Sequence, residues 1–291
     1  MDSKGLGIFF GVLIAATAAL AGGLIAGGII DFAEPGALHL VGLVALACTP
    51  GLAGLAVRAA HGGAGLPPVV PIPRVLGVVV VLSMPVAFLV LYTATTFAGL
   101  STPQWEMTVA LQSIAGEGEP VPNLPGIGPV LVVAGWLISV VLGASVFAAV
   151  ALGQELGWRG YLYPALRPLG AVRAHAITTL VWLVWCTPLA YVWSTGATGG
   201  LDAGLLLRSA GVLVLLSIML SALVGRYHNV GLCALGLGAY LGQVAGIWRL
   251  LFPTDQPPYT GATGLAGLAI FAVLCVAVLL LTRRGGTGAH P

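Results

Sequence analysis

Long apolar runs alternate with short polar or proline-rich breaks along the whole chain. Eight of these runs reach the roughly 20 helical residues that are needed to cross a hydrocarbon core about 30 Å thick. They cover residues 7–30, 37–57, 75–98, 127–152, 174–194, 201–224, 230–252 and 262–282. The longest break, residues 99–126, is predicted to be a loop. Because the first run exceeds the apolar part of a signal peptide, about 7–15 residues, the pattern predicts eight retained transmembrane helices.

The composition places the chain in the same class. Of its 291 residues, 58% are hydrophobic and 7% are charged, against about 25% charged in ordinary soluble domains, and the mean hydropathy is +1.05. Its 43 glycines suit close packing of helices in lipid. The net charge of +2 does not indicate nucleic-acid binding. We therefore expect an all-α polytopic membrane protein, residues 1–291 forming one domain, with the lipid bilayer as a partner.

The distribution of charge predicts the orientation, because short cytoplasmic loops retain Lys and Arg. With the N-terminus inside, nine of the eleven basic residues are cytoplasmic: Lys4, Arg58, Arg74, Arg159, Arg167, Arg173, Arg226, Arg283 and Arg284. Arg208 and Arg249 fall outside. Seven of the nine acidic residues also fall outside: Asp31, Glu34, Glu106, Glu117, Glu119, Asp202 and Asp255. We expect both termini to be cytoplasmic, and the high Gly and Ala content favours a bacterial plasma membrane.

The segment GQELGWRGYLYP, residues 153–164, places charges at the end of the fourth apolar run. Glu155 and Arg159 are four residues apart, so on a helix they lie on one face and can form an ion pair. Ionisable residues at membrane depth are costly and often functional. The pair is therefore either a structural brace or part of a site. Trp158, Tyr161 and Tyr163 are predicted to belong to the interfacial aromatic belt.

This segment also carries a resemblance to a known family. The string QELGWRGYLYPAL, which begins at Gln154, resembles the E-E-x-x-x-R signature of the CAAX-protease and bacteriocin-processing family of intramembrane glutamic endopeptidases. The family's second signature, an aromatic residue followed four residues later by histidine, is similar to WLVWCTP. Trp182 takes the aromatic place there and Cys186 the histidine place. The resemblance covers about residues 127–250 and implies the eight-span fold of these enzymes.

The third signature, H-x-x-x-N, aligns with Gly238 and Gly242. A shift of one residue would place Gln243 at the asparagine. No alignment supplies the histidine, because His290 is the only histidine beyond Asn229. The remaining histidines, His39, His61, His175 and His228, lie at span ends or in loops, so we predict neither a metal ion nor a cofactor.

The resemblance implies a mechanism for which this chain lacks the groups. In the family, the first glutamate activates a water molecule, while the histidines and asparagine hold that water and stabilise the oxyanion. Gln154 stands at the glutamate, and a carboxamide is not a useful base. Cys186 removes a proton carrier, and without a visible base nearby we interpret it as a packing residue rather than a nucleophile. Gly238 and Gly242 remove two more polar side chains.

A small-residue series runs along the seventh span. Ala234, Gly238, Gly242 and Gly246 recur every four residues and present a flat helix face. Two interpretations stay open: the face packs against a neighbouring helix, which we favour, or it widens a cavity for a bulky ligand.

These observations predict a degenerate member of the endopeptidase family. We expect it to bind a membrane-associated peptide, a lipidated chain or a partner protein, with Glu155 and Arg159 bracing the site. One alternative is an active endopeptidase whose rearranged site uses Glu155. The other is a transporter or channel, although the chain shows no recognisable repeats.

Overall fold

The structure is a computed structural model that describes residues 2–29, 37–63, 71–108, 111–112, 126–198, 200–253 and 258–284. All regular secondary structure in the described part is helical. The α-helices are α1 (Ser3–Ala26), α2 (Ala37–Ala47), α3 (Thr49–Ala60), α4 (Arg74–Phe97), α5 (Ile127–Leu142), α6 (Ala148–Gly157), α7 (Tyr163–Leu166), α8 (Ala171–Thr198), α9 (Ala203–Tyr227), α10 (Val230–Val244), α11 (Trp248–Leu251) and α12 (Leu265–Arg284).

The eight predicted membrane spans are confirmed in the described residues. The segments long and apolar enough to cross a bilayer are Ser3–Ala26, Ala37–Ala60, Arg74–Phe97, Ile127–Leu169, Ala171–Tyr191, Ala203–Tyr227, Val230–Leu251 and Leu265–Thr282. Each overlaps one predicted run, with ends shifted by a few residues except in the fourth span. The chain is an integral membrane protein, and the orientation of its termini stays a prediction.

The second span is interrupted between α2 and α3. Cys48 separates the two helices, and Pro50 occupies the first turn of α3, where its missing N–H is tolerated. Thr49 donates a hydrogen bond from its hydroxyl to the Leu46 carbonyl at 2.9 Å, which holds the break together. The two helices together form one candidate span, Ala37–Ala60.

The fourth span is much longer than the sequence predicts. It continues for 43 residues from Ile127 to Leu169, because two π-helical segments join α5, α6 and α7 without ending the helix. The first is Gly143–Phe147 and the second is Trp158–Leu162. Such segments widen a helix locally and are frequent at functional sites. The second one carries Arg159, so the GQELGWRG motif lies inside a continuous helical run.

Helix α10 lies at the centre of the described fold. In the seventh span, which includes α10, 61% of the most apolar 18-residue stretch is buried, against 17% in the first and last spans. It contacts α4 on one side and the fourth span on the other, and also α9. Asn229 begins it by accepting a hydrogen bond from the Leu232 N–H at 3.2 Å.

The aromatic belt prediction is wrong for most of the motif. The side chain of Trp158 is completely buried and Tyr163 is 7% exposed, whereas Tyr161 is half-buried. Trp158 packs edge-on against Phe9 of α1 and Trp185 of α8. These rings fill the core between three helices instead of anchoring the protein at the membrane surface. Most of the predicted 99–126 loop lies outside the described residues.

Candidate functional site

The charges of the motif form a buried ion pair. Glu155 is near the end of α6 and Arg159 is in the second π segment. Arg159 Nη1 donates to Glu155 Oε1 at 2.7 Å, and both side chains are fully buried. This contact confirms the pairing that the four-residue spacing predicted.

Arg159 extends the pair to two other helices. Its Nη2 donates to Ser217 Oγ of α9 at 2.8 Å. Its guanidinium carbon lies 4.9 Å from the ring centroid of Trp182 in α8, within the range of a cation–π contact. The arginine thus connects the fourth, fifth and sixth spans, because its guanidinium contacts a carboxylate, a hydroxyl and an aromatic face.

A chain of hydrogen bonds continues from Ser217 to a histidine. Ser217 Oγ and Thr179 Oγ1 lie 2.6 Å apart, and Thr179 Oγ1 lies 3.4 Å from His175 Nε2. His175 Nδ1 lies 3.1 Å from Ser221 Oγ. His175 lies one turn from the start of the Ala171–Tyr191 span, close to the predicted span end, and it contacts Thr179 and Ser221 there.

Sequence reasoning missed these residues although a signal was present. His175 and Thr179 are four residues apart on α8, and Ser217 and Ser221 are four residues apart on α9. Each pair places two polar groups on one face of an apolar helix. Two such faces on consecutive spans are expected to pair, because polar groups in lipid hydrogen-bond across helices.

Several polar atoms around the ion pair have no hydrogen-bond partner among the described residues. These buried atoms include Glu155 Oε2, Arg159 Nε, Trp158 Nε1 and Trp182 Nε1. Glu155 Oε2 is the carboxylate oxygen that the arginine does not engage. It is therefore the one through which Glu155 could accept a hydrogen bond from a further group.

Gln154 and Cys186, which stand at the family's catalytic glutamate and histidine positions, do not contact the Glu155–Arg159 pair through hydrogen bonds in the described residues. Gln154 precedes Glu155 on α6 and is 9% exposed; successive helix positions differ by about 100°, so the two side chains point in different directions. Cys186 follows Trp182 by one turn on α8 and packs, half-buried, against the apolar core. Neither residue makes a hydrogen bond that joins it to the Glu155–Arg159 pair within the described residues.

The glycines at the third signature are packed against the backbone of the fourth span. A Cβ added to Gly238 would lie 2.6 Å from the Gly143 carbonyl oxygen and would also overlap the backbone of Ala148. A Cβ on Gly242 would lie 2.6 Å from the Ser139 carbonyl oxygen. Because a methyl group already clashes, neither histidine nor asparagine fits here. The packing interpretation of this face is confirmed at Gly238, whereas Gly242 makes a similar close contact and also borders a groove.

A small cavity lies beside the motif at the end of α3. Its volume is about 240 Å³, and it is lined by Gly51, Gly54, Leu55, Val57, Arg58, Leu156, Gly160 and Tyr161. The Tyr161 hydroxyl and Arg58 Nε are buried without a hydrogen-bond partner among the described residues. The cavity thus combines an apolar wall with two residues, Arg58 and Tyr161, that carry hydrogen-bond donors.

Comparison with known proteins identifies a family. The family model described as Type II CAAX prenyl endopeptidase Rce1-like matches residues 134–240. The match includes Gln154, Glu155, Arg159, Cys186 and Gly238, and it lies within the region 127–250 in which the sequence resembles such enzymes. No curated protein matches the chain.

Proposed function

We propose, from the premise that residues 134–240 are an Rce1-like domain of the type II CAAX prenyl endopeptidase family, that this protein is a non-catalytic relative. In this proposal it binds a membrane-associated peptide, a lipidated chain or a partner protein and does not cleave it. The observation that carries the proposal is the close packing of Gly238 and Gly242 against the fourth span.

This packing bears on the mechanism because general acid–base catalysis needs a proton acceptor and groups that stabilise the developing charge. Gln154 supplies no basic atom. The backbone around Gly143 and Ser139 occupies the space in which histidine and asparagine side chains would have to lie. Position 154 thus lacks a basic side chain, and positions 238 and 242 lack the space for the side chains that the family has there.

The role assigned to Glu155 and Arg159 in this proposal is structural. Breaking a buried ion pair by removing one partner is strongly destabilising, because the remaining charge is left uncompensated. The contacts of Arg159 with Ser217 and Trp182 support the same role, since they bind three spans together beside the cavity. The pair then preserves the shape of the family fold without performing its chemistry.

The cavity beside the motif is the binding surface that we assign to the peptide or partner. Leu55, Val57 and Leu156 provide apolar contact area, while Arg58 and Tyr161 can donate hydrogen bonds to a carbonyl or carboxylate. Binding sites commonly combine such an apolar wall with a few polar groups that fix orientation.

Peptide binding tests this assignment. The purified protein in nanodiscs would be titrated with fluorescent prenylated peptides, and the same titration repeated with Leu55→Trp, which fills the cavity. Leu52→Trp is the matched control, because Leu52 lies on the same helix but is 53% exposed and lines no part of this cavity. We expect binding to be weakened only by Leu55→Trp. Equal binding by all three proteins would reject the site, and absence of binding by the native protein would reject prenylated peptides as the ligand.

The active endopeptidase is the second candidate, and one observation favours it. Glu155 Oε2 is not engaged by Arg159, so this carboxylate oxygen is available to a water molecule if the site opens. Two observations count against this candidate: the Glu155 side chain is fully buried, and its Oε1 is bound to the Arg159 guanidinium. This candidate predicts that Glu155→Gln abolishes cleavage and that Gln154→Glu raises it.

A further inference from the structure

A groove at the C-terminal end of α10 is separate from the GQELGWRG motif. It lies between α5 and the α10–α11 junction, has a volume of about 480 Å³, and is lined by Gly135, Ile138, Ser139, Leu142, Phe147, Gly242, Ala245, Gly246, Ile247, Arg249 and Leu250. Its walls are apolar apart from Ser139 and Arg249. Ser139 is already engaged, because its hydroxyl donates to the Gly135 carbonyl at 2.7 Å and accepts from the Ile247 N–H at 3.3 Å.

Arg249 is the charged group of this groove. It is exposed and lies within the Val230–Leu251 span. Among the described residues it makes no ion pair. An arginine near the end of an apolar span can reach the membrane interface, where lipid phosphates lie, so its position beside an apolar groove suits a partner with a negative charge and a long apolar portion.

The length of the groove agrees with such a partner. Gly135 and Phe147 border its two ends on the fourth span and are twelve residues apart, which corresponds to about 18 Å of helix. One leaflet of the hydrocarbon core is about 15 Å thick. The groove is therefore about as long as one leaflet is thick, with Arg249 near one end and the apolar Phe147 at the other, and this is the order of polarity in a phospholipid.

We propose that this groove binds a single anionic phospholipid from the leaflet that contains the C-terminal end of α10. One acyl chain lies along Ile138, Leu142 and Phe147, and the phosphate accepts hydrogen bonds from the Arg249 guanidinium. A guanidinium is suited to this role because its planar donors match phosphate geometry. This site goes beyond the proposed function and does not depend on it.

Native mass spectrometry of the purified full chain tests the proposal, with phosphatidylglycerol and phosphatidylcholine titrated separately. We expect one phosphatidylglycerol to bind more tightly than phosphatidylcholine. Arg249→Gln should weaken phosphatidylglycerol binding about fivefold and remove the preference, since one basic residue near the headgroups contributes about 1 kcal/mol. Arg173→Gln is the matched control, because Arg173 is exposed and lines no part of this groove.

A second pair of variants tests the apolar part of the site. Ala245→Phe should fill the groove and reduce binding of both lipids, whereas Ala149→Phe, at an exposed position outside the groove, should leave binding unchanged. Unchanged lipid affinities for Arg249→Gln would overturn the proposal, and so would unchanged affinities for a folded Ala245→Phe protein. A native dimer that carries no lipid and forms cross-links through cysteines introduced at Ile138 would also overturn it, because a second copy would then cover the groove.

Discussion

Arg159 donates a hydrogen bond to Glu155 at 2.7 Å from the following helical turn, and both side chains are completely enclosed by protein. The same guanidinium reaches Ser217 on another span. The fold depends on both charges of this ion pair, because removing either one leaves the other unpaired in an apolar core. The consequences for stability are testable without any knowledge of the substrate.

Single substitutions of the pair are expected to destabilise the protein strongly. Glu155→Gln and Arg159→Gln should each lower the free energy of unfolding by about 3 kcal/mol, because one buried charge loses its counter-charge. The double variant should lose less than the sum of the two. Thermal unfolding in mild detergent measures this, with the exposed Glu106→Gln as control. Additive losses would show that the two side chains do not stabilise each other.

Ser217 provides a test of the contacts between spans. Ser217→Ala leaves Arg159 Nη2 without its partner and removes the 2.6 Å contact of Thr179, so we expect a loss of about 1–3 kcal/mol. Ser209→Ala is the matched control on the same helix, since its hydroxyl bonds only to the Leu205 carbonyl one turn earlier. Equal unfolding temperatures of the two variants would contradict the interhelical role of Ser217.

The glycine packing predicts a contrast between two alanine substitutions. Gly238→Ala should destabilise the protein by about 2 kcal/mol or more, because the added methyl overlaps the backbone of the fourth span. Gly11→Ala meets no atom within 4 Å and should be neutral or stabilising by up to about 1 kcal/mol. Thermal unfolding and membrane yield distinguish them. A stable Gly238→Ala protein would reopen the cavity interpretation.

Restoring the family residue at position 154 should not restore catalysis. Gln154→Glu provides a carboxylate, but the third signature remains blocked by the contacts of Gly238 and Gly242. We therefore expect Gln154→Glu and the double variant Gln154→Glu/Cys186→His to release no product from a prenylated peptide. A clear gain of cleavage by either variant would instead favour the rearranged-enzyme alternative.

Local patterns predict much of this molecule. The eight spans follow from apolar run length, the Glu155–Arg159 pair from a four-residue spacing, and the packing face from glycines repeated at the same spacing. Each of these depends on residues within one helix, where sequence separation and spatial separation are directly related.

The features that sequence did not predict depend on contacts between distant parts of the chain. Trp158 looks like an interfacial residue, yet it is buried because α1 and α8 supply Phe9 and Trp185. The bond from Arg159 to Ser217 joins residues 58 positions apart. The extension of the fourth span to Leu169 includes two π segments, which leave no periodic signal in the sequence, and the first of them packs against α10.

The most direct test of the central claim is a cleavage assay in liposomes. The native protein and Glu155→Gln would be incubated with prenylated and leader-containing peptides, and products would be identified by mass spectrometry while peptide binding is measured in the same samples. We predict binding without cleavage for the native protein. Product release by the native protein that disappears in a folded Glu155→Gln variant would contradict the account and identify an active endopeptidase.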